Sequence, residues 1–174
     1  MAGYTLIWFI NVNKSVCTRV GSRHAQPCRN LFTSDAREIV WRESIRYLGV
    51  YFVSSKSLKC SLSNSKRSFY RSFNAIFAEP VTVELLKSKC LPSLYYGLEA
   101  CPLSSADFKS LEYIVVGAFM KTFNTRSKEV ATSCMEMFNF SLPSVCISNR
   151  KSNFLRTLSI SDNIICRLCA EYQA

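Results

Sequence analysis

The sequence predicts an α+β fold that is mostly helical, with a short β-hairpin-bearing segment followed by an antiparallel bundle of helices. Runs of β-branched and aromatic residues separated by turn residues fill residues 14–60, which is typical of strands. Apolar residues recur every three or four positions across residues 63–173, which is typical of amphipathic helices. Because 48% of the 174 residues are hydrophobic, the chain can bury a core. The predicted domains are residues 1–62 and 63–174.

Three apolar runs in the first domain predict strands, at residues 14–20, 38–41 and 45–53. The last two runs are separated by only three residues, which predicts a hairpin between them. Gly49 then falls within the second strand of that hairpin. A glycine at such a position indicates a β-bulge or the close approach of another backbone.

Apolar stripes and capping residues place the helices of the second domain. Ser104 and Asp107 form a capping-box pattern that predicts a helix start. Pro80 should stop one helix and Pro92 should kink or end the next. The stripes are Phe69, Phe73, Ile76 and Phe77; Val83, Leu86, Cys90 and Leu94; Phe108, Leu111, Val115, Ala118, Phe119 and Phe123; Val130, Cys134, Met137 and Phe138; Ile147, Phe154, Leu155 and Leu158; and Ile165, Leu168 and Tyr172.

A formal net charge of +10 favours a polyanionic partner, either nucleic acid or an acidic surface. Lys66, Arg67 and Arg71 are predicted to share one helix face opposite the aromatic stripe. Such a face can contact phosphates in a sequence-independent and salt-sensitive way. The alternative is an ordinary solvated helix face.

Nine cysteines without a disulfide-framework spacing, together with the absence of a signal-peptide pattern, predict an intracellular protein in the cytoplasm or nucleus. The longest uncharged stretches are far shorter than a membrane span, so no membrane partner is expected. The pair Cys166 and Cys169 has metal-ligand spacing but no second pair, which favours buried thiols.

Catalytic groups are sparse. Joining nucleotides requires carboxylates that converge on two Mg²⁺ ions, and the nearest acidic pair in this chain is Asp35 and Glu38. We therefore predict no catalytic residues, no metal site, no cofactor and no small-molecule substrate. Cys17, His24 and Cys28 could supply three zinc ligands, but a fourth ligand and finger-like spacing are missing.

Six strings stand in an order and spacing that resemble LINE-type (non-LTR retrotransposon) reverse transcriptases, over about residues 10–160. In chain order they are Ile10-Asn11-Val12-Asn13-Lys14-Ser15-Val16-Cys17, Ile45-Arg46-Tyr47-Leu48-Gly49-Val50, Arg67-Ser68-Phe69-Tyr70, residues 91–100, residues 115–123 and residues 150–155. The first two resemble the palm stretch after the catalytic aspartates and the primer-grip hairpin. The others resemble the thumb and the start of the connecting region.

The resemblance implies a role for each matching position. Lys14 would lie near the phosphates of the incoming nucleotide, and Tyr47, Leu48 and Gly49 would contact the primer 3′ end. The thumb residues Lys66, Arg67 and Arg71 would follow the backbone of an RNA or DNA template–primer. The family uses Mg²⁺, but the palm strands that carry its aspartates have no counterpart here, and residues 1–9 do not match the family.

Three functions follow from these observations. The first is a truncated, catalytically inactive fragment of an RNA-directed DNA polymerase. The second is a retained basic module that binds RNA or DNA. The third is a helical protein-interaction domain in which the positive charge is incidental.

Overall fold

The computed structural model describes residues 10–77, 81–163 and 166, and it is a mostly helical α+β fold with two small antiparallel sheets. The chain divides into two compact units between Ser61 and Leu62, one residue before the predicted boundary. We call residues up to Ser61 the strand unit and residues from Leu62 the helical unit.

The strand unit consists of short strands after a single 3₁₀ turn. Its elements are the 3₁₀ turn Val12–Lys14 and the strands β1 (Leu31–Phe32), β2 (Glu38–Ile39), β3 (Ser44–Tyr47), β4 (Val50–Val53) and β5 (Lys59–Ser61). One sheet pairs β1 with β2, and the other has the order β3-β4-β5.

The hairpin of the larger sheet lies at a different place from the one that apolar spacing predicts. Tyr47 pairs directly with Val50, so Leu48 and Gly49 form a two-residue loop, and the prediction of one continuous strand over residues 45–53 is wrong. Leu48 has φ 46° and Gly49 has φ 85°. Positive φ at both central residues is the type I′ pattern, whose twist matches that of the flanking strands. Gly49 therefore serves a turn and is not a bulge.

Residues 38–41 also pair differently from the prediction. Glu38–Ile39 pairs with Leu31–Phe32, and Trp41 forms an isolated parallel bridge with Cys17. The physical reason is the local turn between β1 and β2, in which Thr33 and Arg37 exchange hydrogen bonds. The predicted strand at residues 14–20 is likewise reduced to isolated bridges at Cys17 and Val20.

The helical unit contains the main core. Its elements are α1 (Ser63–Ile76), α2 (Thr82–Leu85), a π-helical turn (Leu86–Cys90), α3 (Leu91–Tyr95), a 3₁₀ turn (Leu98–Ala100), α4 (Ser105–Thr122), α5 (Lys128–Met137) and α6 (Pro143–Ser159). Phe69 and Phe73 of α1 are fully buried, as their spacing predicts, and their rings stack with centroids 6.1 Å apart. Leu111, Val115 and Phe119 of α4 belong to the same core.

Two local signals in the sequence have clear structural outcomes. The capping box is confirmed, because Ser104 Oγ accepts from Asp107 N (3.2 Å) while Asp107 Oδ2 accepts from Ser104 N (3.0 Å). Pro92 does not end its helix. The π-helical turn just before Pro92 changes the hydrogen-bond register, and the chain continues as α3.

The predicted apolar face of α5 is correct only at Cys134, which is half-buried against the core, and is wrong at Val130, Met137 and Phe138. Ala131 and Met135 are the buried residues of this helix, whereas Val130 is exposed and Met137 is 81% exposed. A small residue at Ala131 allows α5 to pack closely on α4, with which it makes its main contacts. The stripe of α6 is correct at Ile147, which is buried.

Several predictions concern residues outside the described part of the chain. These are the helix stop at Pro80, the whole final stripe of Ile165, Leu168 and Tyr172, and Cys169 of the cysteine pair.

Candidate nucleic-acid interface

The residues with predicted roles are divided between the two units. Lys14 ends the 3₁₀ turn of the strand unit and is exposed. Asn11 orders this turn, because its side-chain oxygen accepts from Asn13 N at 3.1 Å. The resulting site is a single ammonium on a short, locally stabilised turn.

Tyr47, Leu48 and Gly49 form the tip of the β3-β4 hairpin. Tyr47 is 64% exposed and Leu48 is 74% exposed, so the tip presents an aromatic ring and an aliphatic side chain to solvent. The positive φ of Leu48 is unfavourable for a residue with a branched side chain. The hairpin thus holds two large apolar side chains outside any core.

The three basic residues of α1 do not share one face. Arg67 and Arg71 are both exposed and lie four residues apart, which places them on the same side of the helix. Lys66 is half-buried, and its Nζ donates to Ser110 Oγ of α4 at 2.5 Å. Two arginines therefore form the exposed basic face, and Lys66 joins α1 to α4.

Asp35 belongs to the two acidic residues that lie closest together in the sequence. Its carboxylate interacts with Thr33 and Arg37 in the turn between β1 and β2. The Thr33 hydroxyl and the Arg37 guanidinium hold the pKa of the Asp35 carboxyl below its ordinary value. Its ion pair with Arg37 lies at the exposed surface. This carboxylate stabilises a turn, and nothing in its surroundings resembles a two-metal site.

Across residues 10–77, 81–163 and 166, no three His, Cys, Asp or Glu side chains come together in a way that could hold a metal ion. Cys17, His24 and Cys28 are accordingly not brought together as a ligand set in these residues. Arg19 Nη1 lies 2.9 Å from Cys28 Sγ, and His24 Nδ1 lies 3.1 Å from Gly21 O.

The helical unit contains a groove of about 730 Å³ that sequence reasoning missed. We call it the lysine–tyrosine groove. Its lining residues are Tyr70 of α1; Lys109, Glu112, Tyr113, Val116, Gly117, Met120 and Lys121 of α4; Asn124 and Thr125 of the loop after α4; and Lys128, the first residue of α5. Three lysines and two tyrosines thus line one concave surface, with a single carboxylate.

Two of these lysines are held in place by aromatic rings. Lys121 Nζ lies 4.4 Å from the centroid of the Phe77 ring and 3.2 Å from Asn74 Oδ1. Lys128 Nζ lies 5.9 Å from the centroid of the Tyr113 ring. Because cation–π contacts leave the charge intact, both ammonium groups contribute positive potential to the groove.

The single carboxylate of the groove is engaged elsewhere. Glu112 Oε1 accepts from Ser144 Oγ of α6 at 2.9 Å, which draws it towards α6. Because three lysines stand against this one carboxylate, the net charge of the groove lining is positive.

Both tyrosines are accessible. Tyr113 is 67% exposed, and Tyr70 packs edge-on against Phe69 with ring centroids 5.8 Å apart. Burial raises the pKa of the Tyr70 phenol above its ordinary value, and the neighbouring Tyr113 raises it further. Near neutral pH Tyr70 is an uncharged aromatic hydrogen-bond donor, as an unperturbed tyrosine also is.

A signal for the groove is present in the sequence. Lys109, Tyr113, Gly117 and Lys121 recur every four residues along the side of α4 opposite its apolar stripe, and Lys128 follows as the first residue of α5. Tyr70, however, belongs to another helix, and only tertiary packing brings it to the groove.

Comparison of the chain with models of protein families found no matching family, and comparisons with curated proteins and solved structures found no matching protein. Within the part of the chain that the structure describes, no helix combines the length and apolarity needed to cross a membrane.

Proposed function

We propose that this chain is a catalytically inactive, nucleic-acid-binding fragment related to the reverse transcriptases of LINE-type retrotransposons, with a helical unit that holds a template–primer backbone. The observation that carries the proposal is the exposed pair Arg67 and Arg71 on α1, the helix that also contributes Tyr70 to the lysine–tyrosine groove. Guanidinium groups on one helix face are well suited to phosphate oxygens.

The charge distribution supports binding to a polyanion. The chain carries 22 basic and 12 acidic residues. In the helical unit Glu99 pairs with Arg150 (Oε1 to Nη2, 3.5 Å) and Glu84 with Lys87 (Oε1 to Nζ, 3.4 Å). Arg67 and Arg71 have no such carboxylate partner among the ion pairs of the described residues, so their charge is available to phosphates.

The strand unit contributes to the proposal through its resemblance alone. Lys14 would meet phosphates of a nucleotide, and the hairpin tip at Tyr47, Leu48 and Gly49 would contact a primer end. Exposure of both segments is compatible with these roles.

Filter binding of the full chain to DNA duplex and to RNA–DNA heteroduplex, across a range of salt concentrations, tests the binding function. We expect affinity to fall steeply with salt, because each neutralised phosphate releases counterions. A chain that binds neither duplex at low salt would contradict the proposal and favour the protein-interaction alternative.

Primer extension with Mg²⁺ or Mn²⁺ tests the inactivity. We expect the bound primer to keep its original length, because the sequence offers no close set of carboxylates for two metal ions. Template-directed lengthening of the primer would overturn this part of the proposal.

A further inference from the structure

The lysine–tyrosine groove differs from the arginine face of α1, because it is concave and exposes an aromatic ring as well as positive charge. We infer that this groove binds an unpaired, single-stranded segment of nucleic acid, with a base against the Tyr113 ring and phosphates beside the lysines. This inference rests on the proposed nucleic-acid binding. It adds to the arginine face of α1 a second binding surface, which takes unpaired strands.

The groove exposes the aromatic ring of Tyr113 to solvent. Tyr113 is 67% exposed although it lies in the middle of an 18-residue helix. Bases within a duplex already stack on each other, whereas an unpaired base has free π-faces and gains free energy by stacking on an aromatic ring. An exposed tyrosine in a basic groove therefore favours single strands over duplex.

The charge of the groove is pre-organised for phosphates. Asn74 and the Phe77 ring hold the Lys121 ammonium on one wall, and Lys128 is held beside Tyr113. Lys109 is exposed and lies four residues before Tyr113 on α4. Positive charge one helical turn before an aromatic ring and beside that ring suits a single strand, in which phosphates alternate with bases.

Space at the centre of the groove is provided by Gly117. A Cβ added at this position would meet no atom within 4 Å, so the backbone of α4 faces open space. The volume of about 730 Å³ lies within the usual range of ligand sites, roughly 300–1,000 Å³. A base and its sugar can therefore lie against the helix without displacing side chains.

The neutral state of Tyr70 completes the site. Because its phenol remains protonated near neutral pH, it adds an aromatic edge and a hydrogen-bond donor without repelling phosphates. An acidic peptide would also be attracted to the lysines, but its carboxylates would make no use of the exposed Tyr113 ring.

The test uses the full chain and two fluorescein-labelled 12-mers, oligo(dT) and oligo(U), with a DNA duplex of equal length as the comparison, all measured by fluorescence anisotropy. We expect Tyr113→Ala to weaken binding of the single strands by roughly 5- to 150-fold, the range found for base–aromatic stacking. Tyr113→Phe should bind like the unmodified chain. Binding of the duplex should change less than about twofold with either variant.

A steric block provides a second, independent variant. Gly117→Leu should fill the groove and weaken single-strand binding by a similar factor, whereas Gly117→Ala should leave it unchanged. Both substitutions replace glycine by a better helix former, so neither is expected to unfold α4.

The outcomes separate this inference from the proposed function. If the chain binds neither single strands nor duplex, the proposed function fails and the inference fails with it. If the duplex binds but Tyr113→Ala and Gly117→Leu leave single-strand affinity unchanged, the inference alone is overturned. Equal binding of an oligoglutamate peptide, unaffected by Tyr113→Ala, would also overturn it.

Discussion

The two units bury their side chains to very different degrees. In the described residues of the strand unit, Ile39 and Cys60 are the only buried hydrophobic side chains. The helical unit instead has one continuous core built on Phe69, Phe73 and Phe119. Many large apolar residues of the strand unit are exposed, namely Ile10, Val16, Val20, Leu31, Phe32, Val40, Tyr47, Leu48 and Leu58.

This difference shows where the stability of the chain resides. Burial of apolar area is the main favourable term in folding, and the helical unit holds nearly all of it. Strands of two to four residues with few buried side chains depend on hydrogen bonds, which contribute modestly in net terms. We infer that the helical unit is the more stable part of the chain.

The largest expected effect tests this contrast directly. Phe73→Ala should lower the free energy of unfolding by about 3–5 kcal/mol, because Phe73 is fully buried and leaves a cavity. Tyr47→Ala in the strand unit is the control and should change it by less than about 0.5 kcal/mol, because Tyr47 is exposed. Urea unfolding followed by circular dichroism measures both. Equal effects would contradict the contrast.

A second prediction concerns a buried polar atom in the helical core. Tyr95 is only 3% exposed, and its hydroxyl has no hydrogen-bond partner among the residues that the structure describes. Tyr95→Phe should therefore stabilise the protein by about 1 kcal/mol, since an unsatisfied buried group is costly. A loss of stability in urea unfolding would show that the hydroxyl has a partner after all.

The same residue predicts a pH dependence. Burial raises the pKa of the Tyr95 phenol above its ordinary value near 10. Ionisation of this phenol therefore leaves the free energy of unfolding unchanged below about pH 10 and lowers it as the pH rises further, because the phenol ionises first in the unfolded chain. Thermal unfolding between pH 8 and pH 11 should show a smaller alkaline loss for Tyr95→Phe than for the unmodified chain. Identical alkaline losses would contradict this prediction.

The capping box of α4 should have an effect of intermediate size. Ser104→Ala removes the oxygen that accepts from Asp107 N, and we expect a loss of about 1 kcal/mol. Ser105→Ala, at the first helical position, is the matched control and should cost much less. If urea unfolding gives both variants the same stability, the cap contributes nothing.

The smallest effect is expected in the strand unit, at the hairpin tip. Leu48→Asn should slow amide exchange in β3 and β4, by up to about fivefold (0.5–1 kcal/mol), because asparagine tolerates the positive φ better than leucine. Gly49→Ala should have the opposite effect, since its φ is 85°. Faster exchange in Leu48→Asn would contradict the turn assignment.

Local signals allowed some parts of the structure to be predicted from the sequence. The capping box at Ser104 and the stripe at Phe69 and Phe73 depend on residues within one or two helical turns, and both predictions are confirmed. The mostly helical α+β class also follows from such signals. These interactions can be recognised without knowing what the helix packs against.

Other features depend on tertiary context that spacing does not contain. Ala131 became a core residue because close helix packing favours a small side chain, which an apolar pattern cannot rank above Val130. The strand-like pattern of residues 45–53 runs through Leu48 and Gly49, so the pattern alone does not reveal the turn there. The lysine–tyrosine groove requires residues from three elements, so only part of it lies in one periodic pattern.

The central claim is that the arginine face of α1 holds the nucleic-acid backbone, and the salt dependence of duplex binding tests it most directly. Replacing Arg67 and Arg71 by glutamine should reduce the slope of log affinity against log salt by about 1.8, or 0.9 for each lost phosphate contact. Replacing the exposed Lys151 and Arg156 of α6 by glutamine removes the same amount of charge and should leave the slope nearly unchanged. Equal slopes for both double variants would contradict the claim.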